Sequence, residues 1–136
     1  MQKTALIVDD IDFARRVIRE ILINAKYTVI AEATNGNEAI VLYKQYKPDF
    51  VIMDVVMPQR GGIEATRKII EEDKNAKIIM CSAMVHEQLL FEAINAGARD
   101  YIAKPFSAED LLKAVEKVTE AYDEIVNVGG ASGVSI

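Results

Sequence analysis

The sequence predicts one α/β domain, a doubly wound parallel sheet of five strands with helices on both faces. Two observations predict it. Five short apolar runs alternate with five segments of helical spacing, and three of the runs (ALIV, FVIM and KIIMCS) are apolar at almost every position. A strand that is buried on both faces has such a continuous apolar run. Strict alternation of strands and helices indicates a parallel (βα)5 sheet.

The elements follow one another in a regular order. The predicted strands cover residues 5–8, 28–33, 50–53, 77–82 and 101–103. The helices between and after them are predicted from five apolar stripes with helical spacing. In chain order the stripes are Ala14, Val17, Ile18, Ile21, Leu22 and Ala25; Ala39, Ile40, Tyr43 and Tyr46; Ile63, Thr66 and Ile70; Leu90, Ala93, Ile94 and Gly97; and Leu111, Val115, Val118, Tyr122 and Ile125.

The last segment of the chain differs in composition from the rest. The fifth stripe extends to Ile125, further than a helix needs to cross a short strand. Residues 127–136 are rich in glycine and serine and are predicted to be flexible. We therefore divide the chain into a domain over residues 1–122 and a helix extension with a flexible tail over residues 123–136.

Composition limits the class of protein. The 136 residues have the length of one domain, and 51% hydrophobic residues exclude a disordered chain. A net charge of −5 argues against nucleic acid as a direct partner. No apolar run approaches the ~18 residues that a membrane span needs, and the single Cys81 cannot form an internal disulfide. We expect a cytoplasmic protein without membrane insertion, and a monomer unless the long fifth stripe pairs with another chain.

Polar residues follow four of the five predicted strands. They are Asp9 and Asp10 after the first strand, Asp54 after the third, Ser82 at the end of the fourth, and Lys104 and Pro105 after the fifth. Ligands of open α/β sheets bind at the carboxyl ends of the strands. These side chains are therefore predicted to meet in one crevice.

The three carboxylates also favour one strand order. Neighbouring strands lie about 4.8 Å apart, so Asp9, Asp10 and Asp54 can share a cation only if the first and third strands are adjacent. The order 2-1-3-4-5 makes them adjacent, whereas 3-2-1-4-5 separates them by two strand spacings. We therefore predict the order 2-1-3-4-5.

The residue types at this edge point to phosphoryl chemistry. Clustered carboxylates need a counter-charge, and a few oxygen ligands with room for water suit Mg²⁺. Lys104 supplies a further positive charge and Ser82 a hydroxyl donor. A cation, an ammonium and a hydroxyl around one carboxylate form a site for a phosphoryl group. A carboxylate is ionised at neutral pH, so it can act as a nucleophile without a general base.

Four short motifs at the strand ends carry a resemblance to a known family. They are residues 8–10 (VDD), residues 53–58 (MDVVMP) with Gly62, residues 81–83 (CSA) and residues 101–106 (YIAKPF). Over about residues 3–122 the chain resembles the receiver domain of two-component response regulators, most closely the single-domain chemotaxis members. The resemblance implies a flavodoxin-like fold with the strand order 2-1-3-4-5.

The resemblance also implies a role for each matching residue. Asp54 would accept the phosphoryl group as an acyl phosphate. Asp10 would bind Mg²⁺ directly and Asp9 directly or through water, together with Asp54 and the backbone carbonyl of Val56. Lys104 would pair with a phosphoryl oxygen, and the bond between Lys104 and Pro105 would be cis.

Two further residues would form the switch in such a domain. Ser82 would move toward the phosphoryl group, and Tyr101 would swing inward behind it.

The chain departs from the family pattern at several points. Serine stands at position 82 where threonine is at least as usual, Gly61 and Gly62 replace a single glycine, and the two positions that tune phosphoryl loss hold the apolar Val56 and Met84. Because neither apolar side chain can position a water, we expect slow self-dephosphorylation.

The implied function is signalling, and the only catalysis is of the protein's own phosphorylation and dephosphorylation. A histidine kinase would be the phosphodonor. The surface of the fourth helix, fifth strand and fifth helix would then bind a protein target in chemotaxis, such as the flagellar motor switch or a phosphatase. A phosphorelay intermediate and an isolated receiver domain of a longer regulator are alternatives.

Two other classes of protein fit the sequence poorly. A haloacid-dehalogenase-type phosphatase needs a second acid two residues after Asp54, where Val56 stands. A nucleotide- or flavin-binding domain needs glycine in the turn after the first strand, and that turn is DDID.

The remaining polar residues have simpler interpretations. Arg15, Arg16 and Arg19 are interpreted as a solvated helix face, with contact to an acidic partner as the alternative. Cys81 is predicted to be a buried core thiol. His86 begins the fourth helix and is not expected to carry a phosphoryl group.

Overall fold

A computed structural model describes residues 2–84 and 86–128, with residues 121–128 as backbone only. Five strands alternate with five helices. In chain order they are β1 (Thr4–Val8), α1 (Asp12–Asn24), β2 (Thr28–Ala33), α2 (Gly36–Tyr46), β3 (Phe50–Asp54), α3 (Gly62–Glu72), β4 (Ile78–Ser82), α4 (Glu87–Ala96), β5 (Asp100–Ala103) and α5 (Ala108–Val128).

The strands form one parallel sheet in the order β2-β1-β3-β4-β5, which confirms the predicted fold and strand order. Its register brings the carboxyl ends of the central strands level with one another. Val8 pairs with Met53, and Asp54 pairs with Cys81. The residues that follow β1, β3 and β4 therefore emerge at the same edge of the sheet.

Alternate residues of each strand enter two separate cores. Leu6, Val8, Met53 and Met80 pack with α2 and α3 on one face of the sheet. On the other face the packing involves α1 and α5, whose buried contributors include Ile18, Leu22, Leu111 and Val115. Because each central strand is buried on both faces, its sequence is apolar at almost every position. Cys81 belongs to the second core, as predicted, and burial raises the pKa of its thiol to about 12.

Several residues of the apolar stripes that predicted the helices are exposed. Val17 is 39% exposed, Tyr46 40%, Leu90 38% and Ile94 58%. The largest departure is on α4, which buries only Ala93 and Ala96. This helix packs beside α3 and the four-residue edge strand β5, and that small surface covers only part of a wide apolar stripe.

Element bounds agree with the sequence prediction to within about one residue at most strand ends. Helix α5 continues past residue 122 to Val128, so residues 127 and 128, which were predicted to belong to the flexible tail, are helical. The rest of the predicted flexible tail, residues 129–136, lies outside the described residues. Among the described helices, none combines the length and the apolar character that crossing a membrane requires.

Candidate functional site

Asp9 and Asp10 lie in the turn between β1 and α1. The backbone N–H of Asp9 donates to the carbonyl of Ala33 on β2, 3.1 Å away, which extends the sheet pairing into the turn. The Asp9 side chain is buried, and its Oδ1 accepts a hydrogen bond from the backbone N–H of Ile11 at 2.9 Å. Asp10 is exposed at the mouth of the crevice.

Asp54 is the last residue of β3 and lies between the turn of Asp9 and the residue that follows β5. Asp54 is only 7% exposed. The Nζ atom of Lys104 lies 3.3 Å from its Oδ1 and 2.7 Å from Oδ2 of Asp9. The peptide bond between Lys104 and Pro105 is cis, as the resemblance implied. One ammonium thus bridges two buried carboxylates.

The three aspartates fit a divalent cation. Asp9, Asp10 and Asp54 each offer a carboxylate oxygen, and these oxygens lie within 4.8 Å of one another. A hard cation such as Mg²⁺ prefers oxygen ligands and retains some of its water. Because Asp10 is exposed while the other two are buried, a bound ion would have protein ligands on one side and solvent on the other.

Burial and neighbouring charge alter the titration of this site. Burial is the largest cause that raises the pKa of Asp54 to about 6, and the negative charge of Asp9 adds to it while Lys104 opposes it. Burial alone would lower the pKa of Lys104. The hydrogen bond to Asp9 and the negative charge of Asp54 oppose that effect, and the pKa of Lys104 is raised. In the metal-free site, Asp54 therefore loses its proton at a higher pH than an ordinary aspartate, and the neighbouring Lys104 stays positively charged.

Ser82 and Tyr101 meet at a single residue of the loop after β4. The buried hydroxyl of Ser82 accepts a hydrogen bond from the backbone N–H of Met84 at 3.0 Å. The phenol of Tyr101 donates to the carbonyl of the same Met84 at 2.7 Å. Both predicted switch residues are therefore attached to one peptide segment beside Asp54.

The loop after Asp54 is held close to the end of β3. The N–H of Gly62 donates to the carbonyl of Val55 at 2.9 Å, and a Cβ atom at Gly62 would lie 2.0 Å from the carbonyl oxygen of Asp54. Glycine is required there because of this close approach. Val56 lies in the same loop and is 59% exposed.

A family model for the response regulator receiver domain matches residues 5–116. The chain belongs to this family. It is 48% identical over 120 residues to the chemotaxis protein CheY of Thermotoga maritima, covering 88% of this chain and all of that one. The Bacillus subtilis CheY is 46% identical over 117 residues, covering 86% of this chain and 98% of that one.

A solved structure gives the same assignment for the fold. The crystal structure of a CheX–CheY–BeF3–Mg²⁺ complex from Borrelia burgdorferi superposes with a TM-score of 0.83 at 36% identity, covering 85% of this chain and 88% of that chain. The chain is thus a CheY-like receiver domain and, as such, part of a response regulator. The phosphatase and nucleotide-binding classes considered from the sequence are set aside.

Sequence reasoning missed one residue near the acidic cluster of this receiver domain. Arg15, interpreted as solvated, has a side chain only 14% exposed and donates through Nη1 to the backbone carbonyl of Asp9 at 2.8 Å. Its neighbour Arg16 is 57% exposed, as interpreted. Helical spacing alone does not distinguish Arg15 from Arg16, because the acceptors of Arg15 include Glu32 on β2.

His86 caps the amino-terminal end of α4, where the sequence places it. It is the N-cap residue of α4, and its Nδ1 accepts a hydrogen bond from the backbone N–H of Leu89 at 3.3 Å. The same function at α5 is performed by Ser107 and Asp110, which exchange hydrogen bonds as a capping box.

Proposed function

We propose that this receiver domain accepts a phosphoryl group from a histidine kinase on Asp54 and thereby controls binding to a protein target. The observation that carries the proposal is the position of Asp54: a buried carboxylate at the end of a central strand, 3.3 Å from the ammonium of Lys104 and clustered with Asp9 and Asp10. A carboxylate in this position is a nucleophile whose product charge can be neutralised on the spot.

The transfer is a displacement at phosphorus. A carboxylate oxygen of Asp54 forms the new O–P bond, the P–N bond of the donor phosphohistidine breaks, and the electron pair returns to the imidazole. The pKa of about 6 leaves Asp54 mostly ionised at pH 7.5, so no base has to remove a proton first. Lys104, already held by Asp9, pairs with a phosphoryl oxygen as negative charge accumulates there.

We propose that Asp9, Asp10, Asp54 and the backbone carbonyl of Val56 hold Mg²⁺. When bound, the ion supplies positive charge to the phosphoryl oxygens and offsets the repulsion among the three carboxylates. The support is the donor set itself, three carboxylate oxygens within 4.8 Å with one side open to solvent. The Borrelia burgdorferi CheY was crystallised with Mg²⁺ and BeF3.

Ser82 and Tyr101 are proposed to transmit the change. If the Ser82 hydroxyl turns to donate to a phosphoryl oxygen, it gives up the N–H of Met84, and the loop that also holds the Tyr101 phenol is free to move. The affected surface comprises α4, β5 and α5, where Leu90, Phe91 and Ile94 are exposed. A local charge change is thereby converted into a change of surface.

The relatives make chemotaxis the proposed pathway. Those from Thermotoga maritima and Bacillus subtilis are both chemotaxis proteins CheY, and the Borrelia burgdorferi CheY was crystallised with a protein partner, CheX. We infer a protein target of the same kind here, such as the flagellar motor switch or a phosphatase. Exposed apolar side chains on α4 are suited to bury against such a partner.

Intact mass spectrometry tests the reaction. The protein is incubated with Mg²⁺ and a small acyl phosphate, in parallel with Asp54→Asn and with a sample containing EDTA. We expect one added phosphoryl group on the wild-type protein and none in the other two samples. Addition to Asp54→Asn would show that the acceptor is another residue. A second arm replaces the acyl phosphate with a phosphorylated histidine kinase, and absence of transfer there would refute the proposed donor.

A further inference from the structure

The side chain of Arg15 connects the acidic turn to two neighbouring elements. We propose that Arg15 is a positioning residue that orients the peptide between Asp9 and Asp10 and so sets the affinity of the site for Mg²⁺. The inference rests on the proposed Mg²⁺ role of these aspartates and adds to it a residue outside the cluster.

Three nitrogen atoms of the guanidinium have three different acceptors. Nη1 donates to the backbone carbonyl of Asp9 at 2.8 Å. Nε donates to Oε1 of Glu32 on β2 at 3.2 Å, and Nη2 donates to Oδ1 of Asp12 in the first turn of α1 at 2.9 Å. A planar guanidinium held at two points by carboxylates presents its third donor in a fixed direction.

Every polar group of Asp9 is engaged by the protein. Its N–H donates to Ala33, its Oδ1 accepts from Ile11 and its Oδ2 from Lys104, which leaves the carbonyl as the group that Arg15 holds. That carbonyl belongs to the peptide linking Asp9 to Asp10. Since Asp10 is exposed, the direction of its carboxylate depends on the orientation of this peptide rather than on packing.

The orienting effect of Arg15 on the peptide can be distinguished from the effect of its positive charge on Mg²⁺ affinity. Glu32 accepts from both Arg15 and Arg19, and Asp12 contacts both Arg15 and Arg16. Removal of one arginine leaves these carboxylates with less counter-charge, so Coulomb's law predicts a stronger attraction for Mg²⁺. Loss of peptide orientation predicts the opposite, a weaker Mg²⁺ site. The sign of the change therefore distinguishes the two effects.

Calorimetric titration of the metal-free protein with Mg²⁺ is the test. The variants are Arg15→Gln, which removes the fork, Arg15→Lys, which keeps the charge and one donor direction, and the matched control Arg16→Gln, which makes the same charge change on the same helix at an exposed site. Each is titrated well below its own melting temperature. We expect affinity about tenfold weaker in Arg15→Gln, as for other residues that orient metal ligands. Partial recovery is expected in Arg15→Lys, and no loss in Arg16→Gln.

A second readout needs no metal. The N–H of Ile11 donates to Oδ1 of Asp9, so its hydrogen exchange reports how well the turn is held. We expect faster exchange at Ile11 in Arg15→Gln than in Arg16→Gln. If Arg15→Gln proves unstable, Glu32→Gln weakens the same support without removing the arginine, and an intermediate loss of Mg²⁺ affinity is expected.

The outcomes separate this inference from the proposed function. Wild-type protein that binds no Mg²⁺ would refute the metal role on which both depend. Wild-type binding together with unchanged or tighter binding in Arg15→Gln would overturn only the positioning role. Equal loss in Arg15→Gln and Arg16→Gln would also overturn it, because Arg16 does not contact the turn carbonyl.

Discussion

The two sides of Asp54 are held in different ways. On the β1 side, Asp9 is fixed through its backbone and both carboxylate oxygens, with partners on β2, in the turn and after β5. On the β4 side, the hydroxyls of Ser82 and Tyr101 both bond to the backbone of one exposed residue, Met84. The first arrangement rests on several partners from different elements, whereas the second is altered by moving one peptide segment.

This difference matches the chemistry required on each side. Bringing carboxylates together costs free energy through repulsion and desolvation, and many fixed partners are needed to hold them. A switch needs two arrangements of similar free energy, and a pair of neutral hydrogen bonds, each worth about 1 kcal/mol, provides that. We therefore expect substitutions on the β1 side to change binding and stability, and substitutions on the β4 side to change the surface and its motions.

The largest expected effect is at Gly62, which lies against the backbone of Asp54 at the start of α3. In Gly62→Ala the new Cβ would lie 2.0 Å from the Asp54 carbonyl oxygen, so β3 or the loop must shift. We expect the free energy of unfolding to fall by about 2–4 kcal/mol in urea titrations. Gly61→Ala is the control, because its Cβ would lie 3.1 Å from the carbonyl oxygen of Val55 and requires a much smaller shift. Equal losses in the two variants would contradict this account of the loop.

The next largest effect is expected for Asp54→Asn, which removes the free-energy cost of burying a charged carboxylate. The pKa of Asp54 is raised from 3.8 to about 6, so the folded protein binds an additional proton between these values and loses stability as pH rises through that window. Above about pH 6 the cost is complete. We expect Asp54→Asn to be more stable than the metal-free wild type by about 1–3 kcal/mol at pH 7.5.

Urea unfolding of both proteins across pH checks this prediction. The advantage of Asp54→Asn is expected to shrink below pH 6 and to vanish only at about pH 3, below the ordinary pKa of 3.8, where the carboxyl is protonated in both folded and unfolded chains. Added Mg²⁺ is expected to stabilise the wild type more than the variant. A stability gain that does not depend on pH would show that the benefit comes from packing rather than from removal of the charge.

The lifetime of the phosphoryl group should depend on two positions that border the site. Val56 and Met84 are exposed and apolar, so neither side chain can hold a water for attack on the acyl phosphate. We expect the phosphoryl group to be lost slowly, over minutes or longer. The measurement is the decay of the added mass after the donor is removed. Met84→Gln offers a polar group at the same position and is expected to accelerate the loss by about tenfold, within the range of positioned catalytic groups. Loss within seconds in the wild type would refute the expectation.

The sequence predicted the sheet well because its signals are redundant. Apolar strands and alternating helices both predicted a parallel sheet, and three aspartates that could share a cation selected the order in which β1 and β3 are neighbours. Arg15 could not be predicted in the same way, since its role depends on Glu32, which lies seventeen positions later on β2. A run of arginines on a helix is usually solvated, and only the tertiary contact distinguishes Arg15 from Arg16.

The stripe of α4 predicted the helix but not how much of it is buried. Leu90 and Ile94 have the spacing of core residues, but periodicity reports that a face is apolar, not that the protein itself covers it. In this fold α4 lies over the shortest strand, and the apolar side chains beyond it stay exposed. The contact at Met84 could not be predicted either. Its backbone N–H and carbonyl bond to Ser82 and Tyr101, and no sequence pattern reports such backbone hydrogen bonds.

The smallest expected effect is at Tyr101. Tyr101→Phe removes the hydrogen bond to the carbonyl of Met84 and retains the ring. We expect a loss of about 0.5–1 kcal/mol in unfolding free energy, together with faster amide exchange at Met84. Mg²⁺ affinity should stay unchanged, because the phenol contacts neither the aspartates nor Lys104 among the hydrogen bonds described. A clear fall in Mg²⁺ affinity in this variant would mean that the two sides of Asp54 are coupled even without a phosphoryl group. The β1 side would then depend on the loop after β4.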